Sequence, residues 1–274
     1  MRFPDLVTVV LLATAPAAHA GAEAVRADIA SRLSAANPGI APADYSLGSA
    51  AFDADRRAKL EANTPAPGTA EILAQGKQLW NRKFRNGRSL SQCFPNGGRR
   101  IAAAYPQVDA KSKRVVSLET AVNQCLRTHG EPILEAADAA TMGAILAYVR
   151  SLSDGQKIAV RAANPVAEER FEQGRRLYFT RMGQQNYACA SCHVQNAGKF
   201  FGDTALPAAA GSAARWPFVR EGRAVTLQSQ VRECLERMGA AAFPAGSDEL
   251  AQVEYFLTVL SQGHAIKPNA WRPR

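Results

Sequence analysis

A chain of 274 residues is long enough for two domains, each with its own core. With 47% hydrophobic and 21% charged residues it has the balance of a folded globular protein, which excludes a disordered chain. A formal net charge of +9 leaves open an anionic ligand, an acidic partner or simply a basic solvated surface. No basic run is interleaved with aromatics, which argues against nucleic acid.

Taken in chain order, residues 1–20 read as a signal peptide. Arg2 precedes the apolar run LVTVVLLATAPAA, and AHA before Gly21 supplies small residues for cleavage after Ala20. The run is short for a bilayer, and no later stretch of about 18 apolar residues offers a membrane span. Export to an oxidising compartment, the periplasm, is the expectation. Residues 21–67, punctuated by NPGIAPADY and NTPAPGT, read as an irregular arm.

Beyond the arm the chain repeats itself. EILAQGKQLWNRKF (71–84) resembles EERFEQGRRLYFTR (168–181), each with Gly, Leu and an aromatic on one helical face. SLETAVNQCLRTHG (117–130) resembles TLQSQVRECLERMG (226–239), each opening on a hydroxyl residue able to cap a helix. ATMGAILAYVRSLSDG (140–155) resembles DELAQVEYFLTVLSQG (248–263), each a helix expected to end at Gly. Between the halves, residues 157–167 read as a linker. The expectation is an all-α protein with two tandem cytochrome-c-like domains related by duplication, over residues 68–156 and 168–274.

The stretch YACASCHVQN (187–196) carries the chemistry. Cys-x-x-Cys-His is the pattern for covalent haem attachment, with Cys189 and Cys192 forming thioethers and His193 turning its imidazole to the iron. A thioredoxin-like disulfide would want a βαβ setting, and a zinc site a second ligand pair; neither is present in the sequence. One covalently attached haem c is therefore expected. Laying the first half on the second, Leu90 falls at Cys189, Cys93 at Cys192, Phe94 at His193 and Cys125 at Cys234. The first half thus lacks one thioether and the proximal ligand. Cys93 and Cys125 are left near one another, as a disulfide or as two buried thiols, with His129 read as a surface or packing residue. Cys234 and Met238 lie one turn apart on one helix face. Methionine on the iron would make a simple electron carrier, whereas cysteine would make something else.

These residues resemble the SoxA subunit of the SoxAX cytochromes of periplasmic sulfur oxidation. The likeness rests on CASCHVQNAGKFFGDTALP, on LQSQVREC and on AAAYPQVDAKSKRVVSLETAVNQCLRTH in the first half. It is closest to the monohaem branch, in which a disulfide stands in for the first haem. The resemblance implies an L-cysteine S-thiosulfotransferase. Such an enzyme joins thiosulfate oxidatively to a cysteine of a SoxYZ-like carrier, working with a small SoxX-like haem subunit. It also implies that Cys234 is both iron ligand and persulfide-forming active-site cysteine. One departure is Gln230, where relatives often carry Arg; Arg232, Lys199, Arg220 and Arg223 are then the candidates for holding the thiosulfate dianion, Arg232 foremost.

Overall fold

The computed structural model describes residues 21–272, so the expected signal peptide lies outside the described residues. The first half is built on α3 (Thr69–Asn81), α4 (Leu118–Thr128) and α5 (Ala139–Ser151). The second is built on α6 (Pro165–Phe179), the short α7 (Cys189–His193), α8 (Leu227–Arg237) and α9 (Asp248–Leu260). The structure is mostly helical, with the outer helices of each half crossing one another.

The sequence sets the helix starts locally. Ser117 accepts from the Thr120 amide at 3.1 Å to cap α4, and Thr226 accepts from the Ser229 amide at 3.2 Å to cap α8. Asn164 caps α6, with Pro165 at its first position. The helix ends differ from expectation. α5 stops at Ser151 and α9 at Leu260, short of Gly155 and Gly263, which hold φ of 77° and 83° in the turns that follow.

The same close approach occurs in each half. A Cβ on Gly76 of α3 would come 2.1 Å from the Ala144 carbonyl oxygen of α5. A Cβ on Gly174 of α6 would come 2.2 Å from the Gln252 carbonyl oxygen of α9. Only glycine lets these helix backbones touch. Four residues beyond each glycine a large aromatic fills the core: Trp80 in one half, Tyr178 in the other, both buried.

Short strands complete the loops. β1 (Gln107–Val108) pairs with β2 (Val115–Val116), and β3 (Phe200–Phe201) with β4 (Thr204–Ala205), both antiparallel. β5 (Phe218–Arg220) pairs antiparallel with β6 (Arg223–Val225) and parallel with β7 (Ala270–Trp271), the last strand of the chain. The all-α expectation thus needs these three small sheets added.

Residues 21–67 are not irregular. They form α1 (Ala22–Ala36), a 3₁₀ stretch over Pro42–Ala51 and α2 (Ala54–Ala62). They lie on the second half: Glu168 accepts from the Ala22 amide at 2.7 Å, and Arg56 donates to the Thr204 hydroxyl at 2.8 Å. The breakers flagged in the sequence fall between short helices, whose stability comes from this docking rather than from their own length. The expected linker is also pinned, since the Ile158 amide donates to the His264 carbonyl and Tyr255 donates its hydroxyl hydrogen to the Arg161 carbonyl at 2.9 Å.

The halves interlock. Gly143 of α5 meets β6, where an added Cβ would lie 2.2 Å from the Ala224 carbonyl oxygen. Arg150 of α5 is buried, donates to the carbonyls of Trp216 (2.7 Å) and Ala213 (3.0 Å), and stacks over the Trp216 ring at 3.9 Å. Among the described residues no helix is long and apolar enough to cross a membrane.

Candidate functional site

The one-turn helix α7 carries Cys189 and Cys192 three residues apart, which puts both thiols on the same side, followed directly by His193. The His193 ring is anchored by the 2.8 Å bond between Nδ1 and the Pro207 carbonyl. A carbonyl only accepts, so Nδ1 carries the hydrogen and Nε2 keeps a free lone pair. Burial lowers the pKa of this imidazole, so it is neutral where a metal would need it neutral.

Cys234, on α8, faces the same place. All three cysteines are free thiols and half-buried. Burial, then the charge of Cys234, pushes Cys189 up to about 12; burial, then the same charge, raises Cys192. Tyr178 from α6 closes the group from below: it is buried, and after burial itself the charges of Cys189, Cys234 and Cys192 raise its hydroxyl pKa further. Four elements (α6, α7, α8 and the Pro207 loop) thus bring two thiols, an imidazole nitrogen and a third thiol together. That donor set fits haem c: two thiols for its vinyl groups, one nitrogen and one sulfur for its iron.

The basic residues are arranged differently from expectation. Burial raises the Cys234 thiol, and the charges of Arg237 and Arg272 partly offset this. Arg237 follows Cys234 by three residues on α8. Arg272 arrives on the end of β7, which β5 holds in register at Phe218↔Ala270 and Val219↔Trp271. The Arg272 guanidinium lies 4.5 Å over the Phe218 ring, and its pKa falls to about 10 through burial, then the charges of Arg220 and Arg237. Cationic groups crowded this closely, in a partly buried place, favour an anion between them.

Arg232 is turned elsewhere. Two residues from Cys234 it sits about 200° around the helix, donates through Nε to the Phe243 carbonyl at 3.1 Å, and faces Glu119. It lines a cleft of about 340 Å³ between the halves, together with Thr226, Gln228 and Ser229. Arg220 is held by Glu233 at 2.7 and 2.8 Å. Arg223 stands 3.8 Å from Glu221, and Lys199 donates to Asn196 at 3.0 Å on an exposed loop. Gln230 is buried in α8, and Met238, the C-cap residue just after that helix, is buried as well. Sequence reading missed Tyr178, Arg237 and Arg272. The i, i+3 spacing from Cys234 could have pointed to Arg237, whereas Arg272 is brought in only by strand pairing.

The first half shows what fills the corresponding place without such a donor set. Leu90 and Phe94 are buried, Phe94 packs on Trp80 with centroids 4.9 Å apart, and Cys93 is disulfide-bonded to Cys125 with Cα atoms 6.1 Å apart. No ring nitrogen stands where His193 stands.

With this geometry in place, comparison with known proteins is direct. The family profile described as SoxA/TsdA, cytochrome c domain, matches residues 75–158 and 173–266. The L-cysteine S-thiosulfotransferase subunit SoxA of Chlorobaculum thiosulfatiphilum is 34% identical over 228 residues, covering 82% of this chain and 79% of its own. The protein of that name from Allochromatium vinosum is 34% identical over 230 residues, covering 82% and 81%. The crystal structure of SoxXA from P. pantotrophus superposes with a TM-score of 0.68 at 25% identity, covering 75% of this chain and 79% of that one. The chain therefore belongs to the SoxA/TsdA cytochrome c family and stands among its SoxA subunits.

Proposed function

We propose that this chain is the SoxA subunit of a periplasmic L-cysteine S-thiosulfotransferase, that its two halves arose by duplication, and that only the second half holds a haem. The observation that carries this is the convergence of Cys234 with Cys189, Cys192 and the free Nε2 of His193, beside Arg237 and Arg272. Cys189 and Cys192 would attach the haem, and His193 and Cys234 would ligate its iron. When bound, the haem supplies a one-electron centre beside the Cys234 sulfur.

The chain's own groups do the rest. Arg237 and Arg272 neutralise the thiosulfate dianion and hold its sulfonate oxygens by charge-assisted hydrogen bonds. Their field favours sulfur in its anionic form at Cys234, against the opposing effect of burial. The Pro207 carbonyl keeps the proton on Nδ1 of His193 and so fixes which nitrogen is free. Cys234, as a persulfide, exchanges sulfur–sulfur bonds by the attack that governs disulfide exchange. Overall, thiosulfate and a carrier cysteine thiol give a cysteine S-thiosulfonate. One S–S bond forms, the S–H bond breaks with release of a proton, and two electrons leave. A SoxX-like haem subunit would accept them one at a time over two reduction and reoxidation cycles, and a SoxYZ-like protein is the carrier.

Iron content and one substitution test the reading. The mature protein should hold one haem, by iron ratio and intact mass. Cys234→Ala should keep the haem, lose thiosulfate coupling to the carrier and change the oxidised optical spectrum, while Met238→Leu should do neither. If Met238→Leu altered the spectrum while Cys234→Ala stayed active, the chain would be a methionine-ligated electron carrier.

A further inference from the structure

The first half contains a second constellation of soft ligands, remote from the Cys234 site in sequence and not used by the proposed reaction. The Sγ atoms of Cys93 and Cys125 and one ring nitrogen of His129 all lie within 4.8 Å of one another. Local structure puts them there. Cys125 and His129 are one turn apart at the end of α4, with the His129 amide donating to the Cys125 carbonyl at 3.2 Å. Cys93 follows the 3₁₀ turn Leu90–Gln92, facing that helix end. The His129 ring is oriented, not free: it packs on Phe84 with centroids 5.5 Å apart, and its Nδ1 lies 3.0 Å from the Asn86 amide nitrogen. Cys125 is buried, whereas Cys93 and His129 are half-buried, so a small reagent or ion can reach the cluster.

We propose that Cys93, Cys125 and His129 form a thiol-gated zinc site, shut while the disulfide is intact and opened when a dithiol reduces it. In the opening step the dithiol gives a hydrogen to each sulfur and closes to its own disulfide, so the S–S bond breaks and two thiols form. Binding of Zn²⁺ then displaces those two protons. Two thiolates and a neutral imidazole take the cation, and solvent fills the fourth position. The bound unit is neutral, which suits its half-buried place.

The geometry requires little movement. Tetrahedral zinc with Zn–S and Zn–N bonds of ordinary length sets ligand atoms about 3.4–3.8 Å apart. After cleavage the sulfurs separate towards that spacing by their own contact radii, and the histidine nitrogen needs to close by at most about 1.4 Å from the 4.8 Å limit. With its Oδ1 taken by the Arg88 amide, Asn86 donates its NH2 to Nδ1, so in the closed form the ring lone pair is on Nδ1 and zinc bound there would displace that donor. The cation would tie α4 to the Leu90–Gln92 turn as the disulfide does, so it would hold the first half together after that bond is lost. His129 is the surface and packing residue the sequence suggests, stacked on Phe84, and only tertiary placement brings its ring to Cys93.

The test uses the haem-loaded full chain. Protein reduced with dithiothreitol and desalted without air should take up one more zinc per chain than oxidised protein, which retains Cys234 and serves as the internal control. Zinc-edge X-ray absorption should report two sulfurs and a nitrogen. Zinc should also raise the unfolding midpoint of the reduced protein and leave that of the oxidised protein unchanged. His129→Ala, which leaves the disulfide intact, should weaken zinc binding to the reduced chain by at least the roughly 10- to 100-fold that follows loss of even an outer partner of a metal ligand. Equal zinc uptake by oxidised and reduced protein, a sulfur-free zinc environment, or undiminished binding in His129→Ala would each overturn the proposal.

Discussion

Cys234 is acted on from two directions. Burial raises its thiol pKa, and the guanidiniums of Arg237 and Arg272 pull it back. On the proposed function the same two side chains receive the thiosulfate dianion, so substitution should show in substrate use. Losing one charge-assisted hydrogen bond costs about 1.5–3 kcal/mol. Arg272→Ala should therefore raise KM for thiosulfate by roughly tenfold or more, with the haem spectrum close to unchanged. Arg237→Ala should act likewise. Arg232→Ala should have a much smaller effect on KM, because that side chain donates to the Phe243 carbonyl and faces Glu119 in the cleft. Steady-state kinetics of the three variants checks the assignment, and an Arg232 effect equal to that of Arg272 would refute it.

At the scale of elements, the glycine in each helix pair is the point where sequence and packing meet. Gly174→Ala would drive a methyl into the Gln252 carbonyl, and Gly76→Ala into that of Ala144. Each should cost about 1–3 kcal/mol by overpacking, measured by denaturant unfolding, with Gly174→Ala also disturbing Tyr178 next to the thiols. These crossings are legible in the sequence, since Gly followed four residues on by an aromatic recurs in both halves, as do the hydroxyl caps Ser117 and Thr226. The Cys-x-x-Cys-His motif is legible for the same reason: its geometry is set within one turn of helix. What was not legible depends on contacts distant in the chain. The segment before α3 looks irregular because its short helices lack strong periodicity and gain order by lying on the second half. Arg272 cannot be tied to Cys234 by spacing, because the parallel pairing of β7 with β5 brings it there. Arg232, put first by the family resemblance, lies two residues from Cys234, and the helix turn points it towards the Phe243 carbonyl.

At the scale of the whole molecule, the first half is stapled within itself and packed against the second. Its disulfide links residues 32 apart in sequence, a loop for which the chain-entropy model gives about 3–4 kcal/mol. Cys93→Ser should lower stability by that order, and thiol labelling of unfolded, unreduced protein should find neither Cys93 nor Cys125. Where the halves meet, the buried Glu254 and the half-buried Glu119 at the cleft each lack a full set of partners. Burial and then the charge of Glu119 raise Glu254 to about 8, against a bond from Gln228 and the charge of Arg150. Burial raises Glu119 to about 7, against Thr226 and Arg232. One oxygen of each carboxyl, and that of the Gln228 amide, has no hydrogen-bond partner, as expected if the carboxyls sit there protonated and can donate. The unfolded chain releases these protons near the ordinary value of 4.5, the folded chain only near 7 and 8. Between those values the folded state binds more protons than the unfolded one, so stability must fall as pH rises. The unfolding midpoint should therefore decline from about pH 5 to about pH 8 and level off above it. Glu254→Gln keeps the shape and the bond to Gln228 but cannot ionise. It should flatten much of that decline and make the protein more stable than the parent at pH 8, while leaving the two close in stability at pH 5. A decline of the same steepness in Glu254→Gln and in Glu119→Gln would show that the interface between the halves is not where these protons are held.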